Sequence, residues 1–150
     1  MDDIDRQLVA ALVEDARTSF ADLARRVALS APSVHERVRR LERDGVLRGY
    51  HADVAAKAIG LGVSALVGVM QREGVESSDL ADRLAEVAEV EDCWVVAGEE
   101  AFVVRIRVPD VDALEHTLGV LRRIPGVSRT RTTVVLSTRV DGRRRVPPAS

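Results

Sequence analysis

The sequence predicts an α+β protein with two parts, a helical N-terminal unit and a C-terminal unit in which strands and helices alternate. Its 150 residues suffice for one ordinary domain or two small ones. Hydrophobic residues make up 46% and charged residues 31%, which is typical of a chain that buries a core. Aromatic residues account for only 3%, so we expect an aliphatic core.

The first two helices are predicted from apolar residues at helical spacing. Ile4 and Leu8 begin the apolar stripe of a helix over residues 3–14. Asp2 places negative charge at the positively polarised start of this helix. Ser19 opens the second helix, because its hydroxyl can accept a hydrogen bond from the first turn.

The third helix follows after a short turn. Ser30 is its predicted N-cap, and Pro32 suits its first turn. Gly45 ends it. Residues 46–52 then predict a strand with a kink at Gly49.

The remaining chain predicts a second unit after a small-residue linker at 53–62. Ser77 or Ser78 is expected to cap its first helix, and Pro109-Asp110 its second. The predicted strands span residues 63–70, 90–97, 101–108 and 127–138, and the helices span 79–88 and 111–123.

The order of these elements is βαββαβ. Right-handed crossovers fold this order into a ferredoxin-like αβ-sandwich, a four-stranded antiparallel sheet with both helices on one face. The other face has no cover within the chain and carries apolar side chains on each strand. We therefore expect two copies to pack back to back, and no stable monomer.

The charge is unevenly distributed along the chain. Residues 25–48 hold seven arginines and three acids, although the net charge of the whole chain is −2. The second and third helices form a helix-turn-helix, whose second helix can enter the major groove of DNA. Short residues near its start allow close approach to bases, and arginines suit phosphates or guanine. The alternative is a plain three-helix bundle with a solvated arginine face. The candidate DNA-binding residues are Ser19, Ser30, Ala31, Pro32, Ser33, His35, Glu36, Arg39, Arg40 and Arg43.

Nearly the whole chain, about residues 2–140, resembles the Lrp/AsnC (leucine-responsive, or feast/famine) family. In the first half the similarity rests on motifs at residues 3–5, 15–17, 22–24, 29–30, 36–42 and 45–50. In the second half it rests on residues 95–100, 107–110, 125–127 and 130–132. The resemblance implies a transcription regulator of amino-acid metabolism genes. It also implies a winged helix-turn-helix at residues 1–52 and an effector-binding and oligomerisation domain at 63–140. The small residues at 53–62 predict a linker between them, and the arginines near the end of the sequence predict a flexible basic tail at 141–150.

The resemblance further implies that small amino acids bind between dimers and that dimers assemble into rings, often octamers. The hairpin turn usually reads Gly-x-x-Asp in the family, but the fourth position here is Ala101. Glu99 or Glu100 must then supply the negative charge for the ammonium of the effector. Without the family, this turn is an ordinary solvated hairpin tip, and a site that has lost its ligand is a further alternative. The candidate effector-binding residues are Gly98, Glu99, Glu100, Ala101, Thr130, Thr132 and Thr133.

Other classes of function find less support. No nucleophile–base pair indicates an enzyme, and the histidines and the single Cys93 lack metal-ligand spacing, so we expect no catalysis, metal or cofactor. A scaffold that senses amino acids without binding DNA remains the rival interpretation. The acidic start is not typical of a signal peptide, and the uncharged stretch at residues 58–70 is too short for a membrane span. We therefore expect a cytoplasmic protein.

Overall fold

The computed structural model describes residues 1–142, which include two compact units, Met1–Asp53 and Val54–Arg139. Most of the predicted tail at 141–150 lies outside the described residues. No described helix is both long enough and apolar enough to cross a membrane.

Three helices make up the first unit: α1 (Asp3–Glu14), α2 (Phe20–Val27) and α3 (Ala31–Arg43). Each helix is preceded by a residue whose side chain caps its first turn. Asp2 and Asp5 form a reciprocal capping box at the start of α1, while Ser19 and Ser30 cap the other two helices with their hydroxyls. The aliphatic core of the unit contains Leu8, Leu12, Leu23, Val34 and Val38.

The prediction of a strand over residues 46–52 is wrong. The backbone N–H groups of Val46 and Leu47 both donate to the carbonyl of Leu41, at 2.9 and 3.0 Å, and so close the end of α3. A strand also needs a neighbour to pair with, and residues 46–52 pair with no strand among the described residues. Tyr50 instead donates its hydroxyl to Glu42 at 3.0 Å.

A short 3₁₀ turn, Ala56–Ile59, precedes the second unit. Its strands are β1 (Val63–Gln71), β2 (Val90–Val95), β3 (Phe102–Val108) and β4 (Val127–Val135), and its helices are α4 (Ser77–Ala85) and α5 (Val111–Arg123). The predicted order βαββαβ is confirmed.

Several bounds of this unit differ from the prediction: α4 spans Ser77–Ala85 instead of 79–88, and β2 ends at Val95 instead of residue 97. The N-cap of α4 is Glu76 rather than Ser77 or Ser78, and it makes no side-chain cap bond. The hydroxyl of Ser77 is engaged elsewhere, donating to Gln71 Oε1 at 3.0 Å. β4 ends at Val135 instead of residue 138, because Val135 is opposite Ser64, next to the start of β1.

The four strands are ordered β2-β3-β1-β4, and every neighbouring pair is antiparallel. Alternate side chains of the central strands pack under the helices, as period-two alternation requires. This core includes Val67, Val104 and Ile106 from the sheet and Leu84 and Leu121 from the helices.

The opposite face of the sheet, called here the open face, is mixed in character. Trp94 and Leu66 contribute apolar surface to it and are 44% and 38% exposed. Arg105 lies among them and forms ion pairs with Glu91, at 3.5 Å, and with Asp92. Each strand does carry an apolar side chain, but the face is not a continuous apolar patch.

Candidate functional site

The turn between α2 and α3 fixes the geometry of the helix-turn-helix. Ser19 accepts a hydrogen bond from the N–H of Asp22 at 3.1 Å, and Ser30 accepts one from the N–H of Ser33 at 3.3 Å. Ala28 ends α2 with φ 52° and ψ 41°, in the left-handed region. It is the one non-glycine residue with positive φ among the described residues. The chain therefore reverses between the helices at a conformation that most side chains avoid.

Helix α3 is amphipathic, with its apolar side chains buried inside the unit. Val34, Val38 and Leu41 are at most 2% exposed. The ring of His35 is partly buried and meets Phe20 edge-on, with centroids 4.8 Å apart. The other predicted contact residues of α3 lie on the exposed surface: Ala31, Pro32, Ser33, Glu36, Arg39, Arg40 and Arg43.

The arginines of α3 differ in their partners. Arg43 pairs with Glu36 at 3.4 Å on the exposed surface. Arg40 donates to both carboxylate oxygens of Asp5, at 3.0 and 2.8 Å. Arg39 is exposed and has no ion-pair partner among the described residues.

Asp5 contacts the candidate DNA-binding helix, and it is not among the site residues predicted from the sequence. It lies on α1, is only 1% exposed, and also accepts a hydrogen bond from Arg37 at 2.9 Å. Arg37 reaches Asp2 as well, at 2.7 Å. The N–H of Asp5 and the Arg37 guanidinium lower the pKa of Asp2 to about 2. Asp2, Asp5, Arg37 and Arg40, called here the Asp5 cluster, thus join α1 to α3.

The second candidate site surrounds the turn between β2 and β3. A Cβ at Gly98 would meet no atom within 4 Å. Ala101 donates its N–H to the carbonyl of Val69 at 3.0 Å. The packing of the chain therefore leaves the turn open at Gly98, while Ala101 ties it to β1.

The two predicted carboxylates of this turn both form ion pairs with β4. Glu99 pairs with Arg129 at 2.8 Å, and it is 3.7 Å from Arg131. Glu100 also pairs with Arg131, and its side chain is only 15% exposed because it lies over Gly68. A cationic ligand at this turn must compete with these arginines.

The three predicted threonines do not come together. Thr130 and Thr132 lie opposite Val69 and Val67, on the helix-facing side of the sheet, whereas Thr133 lies opposite Leu66 on the open face. The register of a strand sends successive side chains to opposite faces. Only Thr133 therefore shares the face on which Arg131 meets Glu100.

Comparison with known proteins finds two family models that match different parts of the chain. Residues 1–42 match the AsnC-type helix-turn-helix domain, and residues 64–145 match the Lrp/AsnC ligand binding domain. The HTH-type transcriptional regulator LrpA of Mycobacterium tuberculosis is 42% identical over 147 residues, covering 98% of this chain and 97% of that protein. The leucine-responsive regulatory protein of Escherichia coli K12 is 34% identical over 139 residues, covering 91% and 85%.

A solved structure extends the similarity to three dimensions. It is the feast or famine regulatory protein from M. tuberculosis complexed with L-methionine. This protein is 42% identical, has a TM-score of 0.91, and the match covers 97% of this chain and 99% of that one. With both domains matched and relatives similar along nearly their whole length, the chain belongs to the Lrp/AsnC family of transcriptional regulators.

Proposed function

We propose that the chain binds double-stranded DNA with α3 in the major groove, and that two subunits of a dimer occupy one roughly palindromic site. The observation that carries this proposal is the exposed start of α3. Ala31, Pro32 and Ser33 are all exposed there, and their short side chains let the helix approach base edges. The apolar residues that hold α3 in the unit lie on its opposite face.

Contacts to the DNA backbone come from two places beside the start of α3: the side chain of Arg39 and the first turn of α2. Arg39 carries the exposed positive charge of α3 that has no acidic partner among the described residues. The first turn of α2, beyond Ser19, offers backbone N–H groups that suit a phosphate. These contacts set the register of the protein on the duplex, and base contacts near Ser33 provide its sequence preference.

A gel-shift titration tests this proposal, with a duplex from the region upstream of the gene at low and moderate salt. We expect a specific shift that weakens as salt rises, because phosphate contacts release counterions. Arg39→Ala should weaken it, whereas Arg123→Ala, an exposed arginine of α5 in the other unit, should leave it unchanged. The absence of a specific shift at every salt concentration would refute DNA binding.

We further propose that a small amino acid binds at the turn formed by Gly98, Glu99, Glu100 and Ala101. The M. tuberculosis relative complexed with L-methionine supports an amino acid as the ligand class. The ammonium of such a ligand needs an anionic partner when it is partly desolvated. Glu99 is the more accessible candidate, since its side chain is 59% exposed and that of Glu100 is 15% exposed. Without an aspartate at position 101, the site has room for a bulkier ligand side chain.

Calorimetry with the common amino acids tests this site. Glu99→Gln or Glu100→Gln should weaken binding of the ligand that the parent protein accepts. Glu115→Gln, an exposed acid of α5, is the matched control and should not change the affinity. If the parent and both turn variants bind an amino acid equally well, neither carboxylate holds the ammonium.

We also propose that two copies of the chain pack through the open face of the sheet, and that such dimers assemble into larger rings such as octamers. Leu66 and Trp94 expose apolar surface on this face, and burial of such surface favours association. Light scattering on dilute protein should give a mass of at least two chains. A mass near 16.3 kDa, that of a single chain, would refute assembly.

A further inference from the structure

The Asp5 cluster places four charges that cancel one another at the contact between α1 and α3. Asp5 has a nearly completely buried side chain, and its carboxylate accepts hydrogen bonds from Arg37, from Arg40 and from the N–H of Asp2. The second carboxylate, that of Asp2, also pairs with Arg37. Two of the seven arginines in the basic segment are thus neutralised within the unit.

We propose that Asp5 is a positioning residue for DNA binding: it holds Arg37 and Arg40 against α1, so that α3 meets DNA phosphates through Arg39 and not through Arg40. This inference rests on the proposed binding of DNA by α3. It reassigns Arg40, which the sequence predicts as a DNA contact, to the support of the reading helix.

The geometry separates two neighbouring arginines by role. Successive residues of a helix point about 100° apart, so Arg39 and Arg40 leave α3 in different directions. The Nη2 atom of Arg40 bonds both oxygens of Asp5, at 3.0 and 2.8 Å. Among the described residues, Arg39 is the only arginine of α3 without an acidic partner.

Because Asp5 is buried, we expect Arg40 to keep its ion pair with Asp5 when DNA is bound. A phosphate offers Arg40 an anionic partner, but Arg40 already has one. If Arg40 left, the buried carboxylate of Asp5 would retain only Arg37 as a charged partner, and an under-compensated buried charge is strongly unfavourable. Arg39 loses no such partner when it contacts a phosphate.

The experiment measures how affinity for a 30-bp duplex of random sequence depends on salt, with the full-length protein. The slope of log K against log salt is negative, and each neutralised phosphate adds about 0.9 to its magnitude. Arg39→Ala should lower the magnitude of this slope by about 0.9 per bound subunit. Arg40→Ala removes the same charge from the next residue, and it should leave the slope unchanged while lowering the unfolding temperature.

Variants of Asp5 provide the converse test. Asp5→Asn removes the charged partner of Arg40 and one of the two charged partners of Arg37. It should therefore raise the magnitude of the slope, whereas Asp5→Glu keeps the charge and should restore the parent value. If Asp5→Asn does not fold, the comparison of Arg39→Ala with Arg40→Ala decides alone. Equal slope losses for these two variants would overturn the inference while DNA binding stands. A parent protein that binds no duplex would overturn both.

Discussion

Replacing Gly68 by alanine tests how tightly Glu100 is held over the sheet. Gly68 is buried in β1, and a Cβ there would lie 2.7 Å from Cγ and 2.9 Å from Oε1 of Glu100. Both distances are shorter than van der Waals contact, so Glu100 must move, and its ion pair with Arg131 is disturbed. Overpacking costs about 1–3 kcal/mol, and alanine recovers about 0.5–1 kcal/mol of chain entropy. We therefore expect a net destabilisation of up to about 2.5 kcal/mol.

The assay is urea unfolding followed by circular dichroism at one protein concentration, since assembly contributes to stability. In a Glu100→Ala background the obstacle is absent, and Gly68→Ala should stabilise by about 0.5–1 kcal/mol. Gly119→Ala in α5 is the control, because its Cβ would be 3.4 Å from the mobile end of Arg123, and it should also stabilise. If Gly68→Ala has the same effect in both backgrounds, within about 0.5 kcal/mol, the reasoning is refuted.

Two further substitutions and one chemical modification test other local features of the structure. Ala28→Gly should stabilise the first unit by about 0.5–1 kcal/mol, since Ala28 has φ 52°; a lower thermal midpoint would contradict this. Asp110→Ala should cost about 0.5–2 kcal/mol in urea unfolding, because Asp110 accepts the N–H of Ala113 at 2.8 Å, while Asp110→Asn should retain most of the stability. Burial raises the pKa of the Cys93 thiol, so iodoacetamide should react more slowly with the folded than with the denatured protein at pH 8; equal rates would argue against it.

The sequence predicts those elements whose signals are local. Asp110 caps α5 from the adjacent residue, and α5 has the predicted bounds, Val111–Arg123. The strand predicted at residues 46–52 fails because a strand depends on a partner elsewhere in the chain. The hydroxyl of Ser77 bonds Gln71 rather than the backbone at the start of α4. The positions of serines in the sequence do not show which of these two partners the hydroxyl takes.

The candidate sites show the same limit. Exposure of the α3 surface follows from helical periodicity, but the pairing of Arg40 with Asp5 joins residues 35 positions apart. One signal could have indicated it: Asp5 falls on the same helical stripe as Leu8 and Leu12, and an acid in an apolar stripe needs a cationic partner. The ion pairs of Glu99 and Glu100 with β4 depend on strand register, which the sequence leaves open.

The positions of two aromatic residues give each unit its own optical signal. Trp94, the single tryptophan of the chain, is in β2, and Tyr50, the single tyrosine, is in the first unit. Fluorescence excited at a wavelength that only the Trp94 indole absorbs therefore reports only on the sheet. Its emission should shift to the blue when a second molecule covers the open face and to the red when the sheet unfolds. The loss of helical ellipticity without any change in indole emission would mark melting of the helix-turn-helix alone, so the two units can be followed separately in one unlabelled sample.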